Sequence, residues 1–371
     1  MSRIIKLSLV ALLVIAAGFS MFFVRLMLDM GSFRTIEAHF DGTCETYGGF
    51  AGGTEDVLID RESGWVFVSS YDRRSGEANP STAPRGAIEV FRLDDPGAGH
   101  INITPSVPHD FRPHGFSLLD DPEGKRLFVI NHPENGDQLI ELFDVAYSED
   151  GMPSLAYVGS ISDPLIISPN DIVATGLVSF YVGNDFSRRD RGSIGYMLDL
   201  FLRQDKTNLI YYDGNDASVA ADGLTYANGV NLSPDGQTLY LAETTDGVMR
   251  IYDRDIASGV LTQREGEDGT LSFGTGVDNI DIDDEGRIWI GAHPKLFDIE
   301  PHMADASSPS PSQVLLIDPA AQTILEVYTD PGDILSASST AAYHAGRMVI
   351  GVIFDHQVAV CDVTDTRVLG E

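Results

Sequence analysis

Short apolar runs separated by glycine-bearing turns recur along most of this chain. The stretch Tyr226 to Glu243, YANGVNLSPDGQTLYLAE, shows the unit whole: a polar pair (Asn228-Gly229), a short alternating strand, a Pro234-Asp235-Gly236 turn and a second apolar strand. Alternation on one side of a Pro-Asp-Gly turn and an apolar run on the other predict a β-hairpin. Six copies of the second strand align on Phe67, Phe128, Tyr181, Tyr240, Trp289 and Val349, at intervals of 49 to 61 residues. Most have a glycine turn just upstream, at Gly64, Gly124, Gly176, Gly236, Gly286 and Gly346. A repeat of that length with several short strands predicts propeller blades, and the period-two segments Val230–Leu232 and Ile280–Asp283 exclude helical repeats. The expected fold is all-β: one six-bladed β-propeller with a central tunnel, spanning residues 31–371.

Residues 1–30 follow another pattern. Arg3 and Lys6 precede an apolar run from Leu7 to Val24, which Arg25 closes. Eighteen such residues, at about 1.5 Å each in a helix, are near the minimum that crosses a hydrocarbon core. Phe22, Phe23, Val24 and Arg25 make a poor cleavage site, so an uncleaved signal anchor is favoured over a cleaved signal peptide. The positive flank would put the globular part on the non-cytoplasmic side, extracellular or periplasmic. Two cysteines, Cys44 and Cys361, stand near the ends of that part. Export would allow a disulfide between them; two buried free thiols are the alternative.

Composition narrows the partners. With 43% hydrophobic residues the chain can bury a core. Its formal net charge of -32 repels phosphate backbones and argues against a nucleic-acid partner.

The first strand of each unit opens on a polar pair: Glu55-Asp56, His114-Gly115, Asn170-Asp171, Asn228-Gly229, Asp278-Asn279 and Ser339-Thr340. In a propeller the innermost strands surround the axis, so equivalent positions converge there. Five of the six pairs carry Glu, Asp, Asn or His, and such groups are costly to bury without a counter-charge. Turn hydrogen bonding explains any single pair but not five in register. Carboxylate and amide oxygens without thiolates suit a hard cation, calcium before magnesium. One site would use Glu55, Asn170, Asn228, Asp278 and Asn279. Strand alternation turns Asp56 and Asp171 the other way, toward a second, deeper ion.

Three histidines join this set. His114 opens the second inner strand, and His132 follows the second strand of the same unit, which makes them a candidate catalytic pair. His293 holds the corresponding place in another unit and is a candidate substrate contact. Other signals fail. Asp281–Gly286 resembles an EF-hand start, but position twelve is Ala292; Gly274-Thr275-Gly276 lacks a third glycine; and GxSxG, HExxH and CxxC are absent. The segments Ser75–Arg85 and Ser307–Ser312 read as ordinary solvent loops.

Taken in order, Thr54–Asp56, Arg112–Gly115, Val129–Pro133, Asn170–Val173, Tyr226–Gly229, Ser233–Gly236, Val277–Asn279, Gly291–Pro294 and Cys361 resemble the calcium-dependent paraoxonase/arylesterase family. The resemblance implies a six-bladed propeller with two calcium ions in the tunnel. The catalytic ion's ligands would fall on Glu55, Asn170, Asn228, Asp278 and Asn279. Those of the structural ion would fall on Asp56, Asp171 and the Phe116 carbonyl. It also implies a His114/His132 dyad, a Cys44–Cys361 disulfide and a retained hydrophobic segment. Met197–Leu202 would form a helix near the tunnel mouth. Asn184-Asp185-Phe186 departs from the family's Asn-Asp-His.

The resulting expectation is hydrolysis of small carboxylic esters, lactones foremost. The cation would polarise the carbonyl, and His114 with His132, or a carboxylate of the metal shell, would activate water. The alternatives are a gluconolactonase-type sugar lactonase with one metal and a non-catalytic propeller braced by metal. Oligomeric state stays open.

Overall fold

The alternation that marks each unit becomes a sheet with two buried faces. The computed structural model describes residues 3–188 and 194–370. There are six antiparallel sheets of four or five strands, four built from one repeat each and the last two completed by strands from the amino-terminal segment. Their inner strands are Gly53–Asp60, Pro113–Asp121, Pro169–Ala174, Ala227–Leu232, Gly276–Ile282 and Ser338–His344. Each packs on the next and the sixth packs on the first, closing the six-bladed propeller. All six repeat centres lie on second strands, and all are buried.

Six hydrophobic clusters fill the wedges between neighbouring blades. Leu127 and Val129 pack toward the first blade with Phe67 and Val90, whereas Phe128 and Ile130 pack toward the third with Phe180 and Val182. A second strand must serve two cores at once, so both of its faces are apolar and it reads as an unbroken run. Glycine lets the inner strands crowd at the axis. A Cβ on Gly229 would stand 2.3 Å from the Asp278 carbonyl oxygen, and one on Gly115 would stand 2.4 Å from that of Asn170.

The ring is closed by both ends of the chain. Gly42–Gly48 is the outer strand of the sixth blade, antiparallel to Gln357–Val363. Cys44 pairs with Cys361 in that register, and the two form a disulfide. Just upstream, His39–Phe40 adds to the edge of the fifth blade against Thr323–Asp330. The chain thus crosses the seam between the last two blades within ten residues. Preceding it is an α-helix, Arg3–Asp29, whose side chains from Leu12 to Val24 are mostly exposed and apolar. Its end docks on the propeller: Leu26 and Met30 are buried, and the Leu296 N–H donates to the Met30 carbonyl at 3.1 Å.

Two segments depart from the solvent loops expected of them. Arg73–Ala78 is a short helix capped by the Asp72 carboxylate, and its Gly76 and Glu77 line the cavity at the tunnel mouth. Ser310 and Ser312 are fully buried, and Ser308 accepts a hydrogen bond from His302. Beyond these residues the expectation holds, since 77–82 and Ser307 are exposed.

The disulfide bridges residues 317 apart. Replacing both cysteines by serine should lower unfolding free energy by about 2–5 kcal/mol in guanidinium titrations, with far-ultraviolet circular dichroism unchanged.

Candidate metal and catalytic centre

The polar pairs fall where the pleat is interrupted. Register slips between Gly53 and Asp56, Pro113 and Phe116, Pro169 and Ile172, Ala227 and Val230, Val277 and Ile280, and Ser338 and Thr340. These bulges lie at the opening of every inner strand. A bulge re-aims side chains that regular alternation would send into a neighbouring blade. Glu55, Asn170, Asn228 and Asp278 line a cavity of about 660 Å³ at one end of the tunnel. Asp56 and Asp171 line a second, of about 460 Å³, at the other. The two sets predicted from the sequence thus meet different ends of one axis.

The oxygens at the first set are short of donors. Glu55 Oε2 and the Oδ1 atoms of Asn170, Asn228 and Asn279 are buried without a hydrogen-bond partner. Their amide nitrogens are engaged: Asn279 Nδ2 donates to Glu55 Oε1 at 3.0 Å, Asn228 Nδ2 to Thr244 Oγ1 at 2.8 Å and to Asp278, and Asn170 Nδ2 to Asp185 Oδ2 at 3.3 Å. With each N–H₂ side tied down, each carbonyl oxygen is presented and left unsatisfied. Orphaned buried acceptors of this kind are costly in a protein alone and suit a hard cation. The donor set therefore fits the expected metal.

A regular second ring holds the first. The residue that ends or follows the second strand is His132, Asp185, Thr244 and His293 in blades two to five. Each bonds the inner-strand residue of its own blade. His132 Nε2 lies 2.9 Å from His114 Nδ1, and His293 Nε2 lies 2.7 Å from Asp278 Oδ2. Asp185 and Thr244 bond Asn170 and Asn228 as above. His293, expected to touch substrate, also lines the cavity, and its ring bonds Asp278. In the first blade Arg73, two residues past the end of the second strand, stands 3.4 Å from Glu55 Oε2. The sequence marked the two histidines but not Asp185, Thr244 or Arg73. For Asp185 and Thr244, alignment with His132 and His293 was the available signal.

Burial fixes the electrostatics. Desolvation pushes the Asp56 carboxyl well above its ordinary range, and the charges of Asp171 and Glu55 add to this. Asp171 is pushed up by burial as well, against the pull of the Val230 and Ile172 N–H groups. Burial also raises Asp278, with His293 opposing it. For Glu55, burial is outweighed by His114, Arg73 and Asn279, and its carboxyl is held low. The backbone N–H of Phe116 donates to Asp56 Oδ2 at 3.0 Å, which brings that residue against the lower pair.

A relay runs along the wall. His132 Nδ1 donates to Gln138 Oε1 at 2.6 Å, so its Nε2 accepts from His114 Nδ1. The open nitrogen, His114 Nε2, then faces Glu55 Oε1 at 3.5 Å. Gln138 sets this direction and carries no sequence motif.

An arylesterase family model matches residues 67–363. The chain belongs to the arylesterase family. Human serum paraoxonase/arylesterase 1 is 31% identical over 336 residues, covering 86% of this chain and 88% of that protein. Human serum paraoxonase/arylesterase 2 is 30% identical over 374 residues, covering 98% and 100%. In fold, a luciferin-regenerating enzyme aligns with a TM-score of 0.54 at 13% identity, covering 87% of this chain and 97% of that one. The matched segment leaves out the inner strand of the first blade and the amino-terminal strands that complete the fifth and sixth.

Two outcomes follow from this geometry. Thr244→Val should weaken calcium binding about 10–100-fold by isothermal titration calorimetry, and Thr244→Ser should restore it. In cation-free protein, Asp56 and Asp171 hold protons more tightly folded than unfolded. Above the ordinary carboxylate range the folded state then binds more protons, so stability falls as pH rises. Thermal unfolding scans should show that fall as pH rises above about 4, and added calcium should remove it.

Proposed function

We propose that this chain is a calcium-dependent carboxylic ester hydrolase acting on small esters, lactones foremost. The observation that carries the reading is the set of unsatisfied oxygens from Glu55, Asn170 and Asn228 in a cavity that His114 also lines, with the unsatisfied Asn279 bonded to Glu55 just behind it. Membership in the arylesterase family supports it.

Glu55, Asn170, Asn228, Asp278 and Asn279 would hold the upper ion, which supplies Lewis-acid polarisation of the ester carbonyl and charge to stabilise the oxyanion. Asp56, Asp171 and the Phe116 carbonyl would hold a second, structural ion. His114 Nε2 takes the proton from the attacking water. His132 accepts a hydrogen bond from His114 Nδ1 and so stabilises the imidazolium that forms, while Gln138 keeps His132 in the accepting tautomer. His293 orients Asp278 through Nε2. Leu26, Met30, Phe186 and Phe297 form an apolar wall for the acyl or aryl group. The N-terminal helix would anchor the propeller to a membrane, and the disulfide fits an oxidising, non-cytoplasmic compartment.

Phenyl acetate and an acyl-chain lactone, each assayed with and without EDTA, test the reading. Chelation should abolish turnover and calcium should restore it, with two ions bound per chain by equilibrium dialysis. Asp278→Ala should lose both metal and turnover. His114→Gln should keep the metal and lose about 10²–10⁴ in kcat. Full activity in His114→Gln on both esters would remove the histidine base.

A further inference from the structure

We propose that the cavity favours neutral or cationic esters and turns away anionic ones. This rests on reading the cavity as an ester-hydrolysing site. Six carboxylates line it: Glu55, Glu77, Glu134, Asp185, Asp278 and Glu300. Among the described residues, the guanidinium groups of Arg73 and Arg112 are its only lysine or arginine charges. Even with a divalent cation on the floor, the lining keeps a net negative charge.

The arrangement sharpens that count. Both arginines are engaged with carboxylates. Arg112 Nε pairs with Asp110 at 2.6 Å and its outer nitrogen stands 3.7 Å from Glu134, while Arg73 faces Glu55. Glu77 and Glu300 are exposed and have no ion-pair or hydrogen-bond partner among the described residues. They sit on separate short helices, Arg73–Ala78 of the first blade and Ile299–Ala304 of the fifth, so the entrance is flanked by unneutralised acid from two directions. At the entrance an incoming carboxylate meets these charges and, among the described residues, no lysine or arginine without a carboxylate partner. An alkylammonium group meets them favourably.

The same field acts on the products. Water adds its hydroxyl to the acyl carbon, the C–O bond breaks, the alkoxide takes a proton, and the acid loses one to solvent. A neutral ester therefore enters and a carboxylate leaves, down the gradient of the cavity's own charge.

Three phenyl acetates test this: unsubstituted, 4-carboxylate and 4-trimethylammonio, each rate divided by its hydroxide-catalysed rate. In the calcium-loaded enzyme at low ionic strength, kcat/KM should favour the cationic over the anionic ester by about tenfold or more. The ratio should fall toward one at about 0.5 M salt, where screening acts within a few ångströms. Glu77→Gln with Glu300→Gln should shrink the low-salt ratio several-fold. A ratio near one in the native chain, or one that the double substitution leaves intact, overturns the selection. Turnover of phenyl acetate with a ratio of one removes the selection alone; turnover of none of the three removes the hydrolase reading with it.

Discussion

Like charges cannot be buried side by side without something of opposite sign between them. Asp56, Asp171, Glu55 and Asp278 are all buried near one axis, and the nearest buried amides offer oxygen where a donor would be needed. Every other feature of the site is arranged around that deficit. Removing solvent from a carboxylate disfavours its charge, and the raised carboxyls of Asp56 and Asp171 record the imbalance. A hard cation on the axis would answer it.

Presenting oxygens rather than N–H groups requires control of each amide. The propeller supplies this by repetition: the inner strand contributes the side chain, its bulge aims it, and the end of the second strand fixes its rotation. The same backbone position therefore hosts His132, Asp185, Thr244 and His293, three residue types that each bond the inner strand of their own blade. His132 bonds onward to Gln138, and Asp185 accepts from Ser168.

Much of this was legible in the residues. Blade number and order followed from the spacing of the second strands, because a strand serving two interblade cores must be apolar on both faces. The axial pairs were legible because every bulge falls at the same point of the repeat. Other features were not. Arg73 and Gln138 act through single loop contacts that leave no periodic trace. The short helix at Arg73–Ala78 has a capping aspartate but too few apolar positions to stand out from a loop. The lower end of the tunnel also holds a pair, Arg61 with Asp281, whose members are 220 residues apart and meet only through ring closure.

The continuity of the amino-terminal segment gives the molecule a mechanical character. One unbroken stretch supplies the exposed helix, two residues of the cavity wall, and the edge strands of the two last blades. A load applied along that helix would reach the catalytic pocket at Leu26 and Met30 before it reached the seam. Beyond them it would meet strand ladders loaded in shear, with a covalent bond across the last. Strain on the helix would thus be felt first as a change in pocket shape, and the ring itself would be the last part to yield.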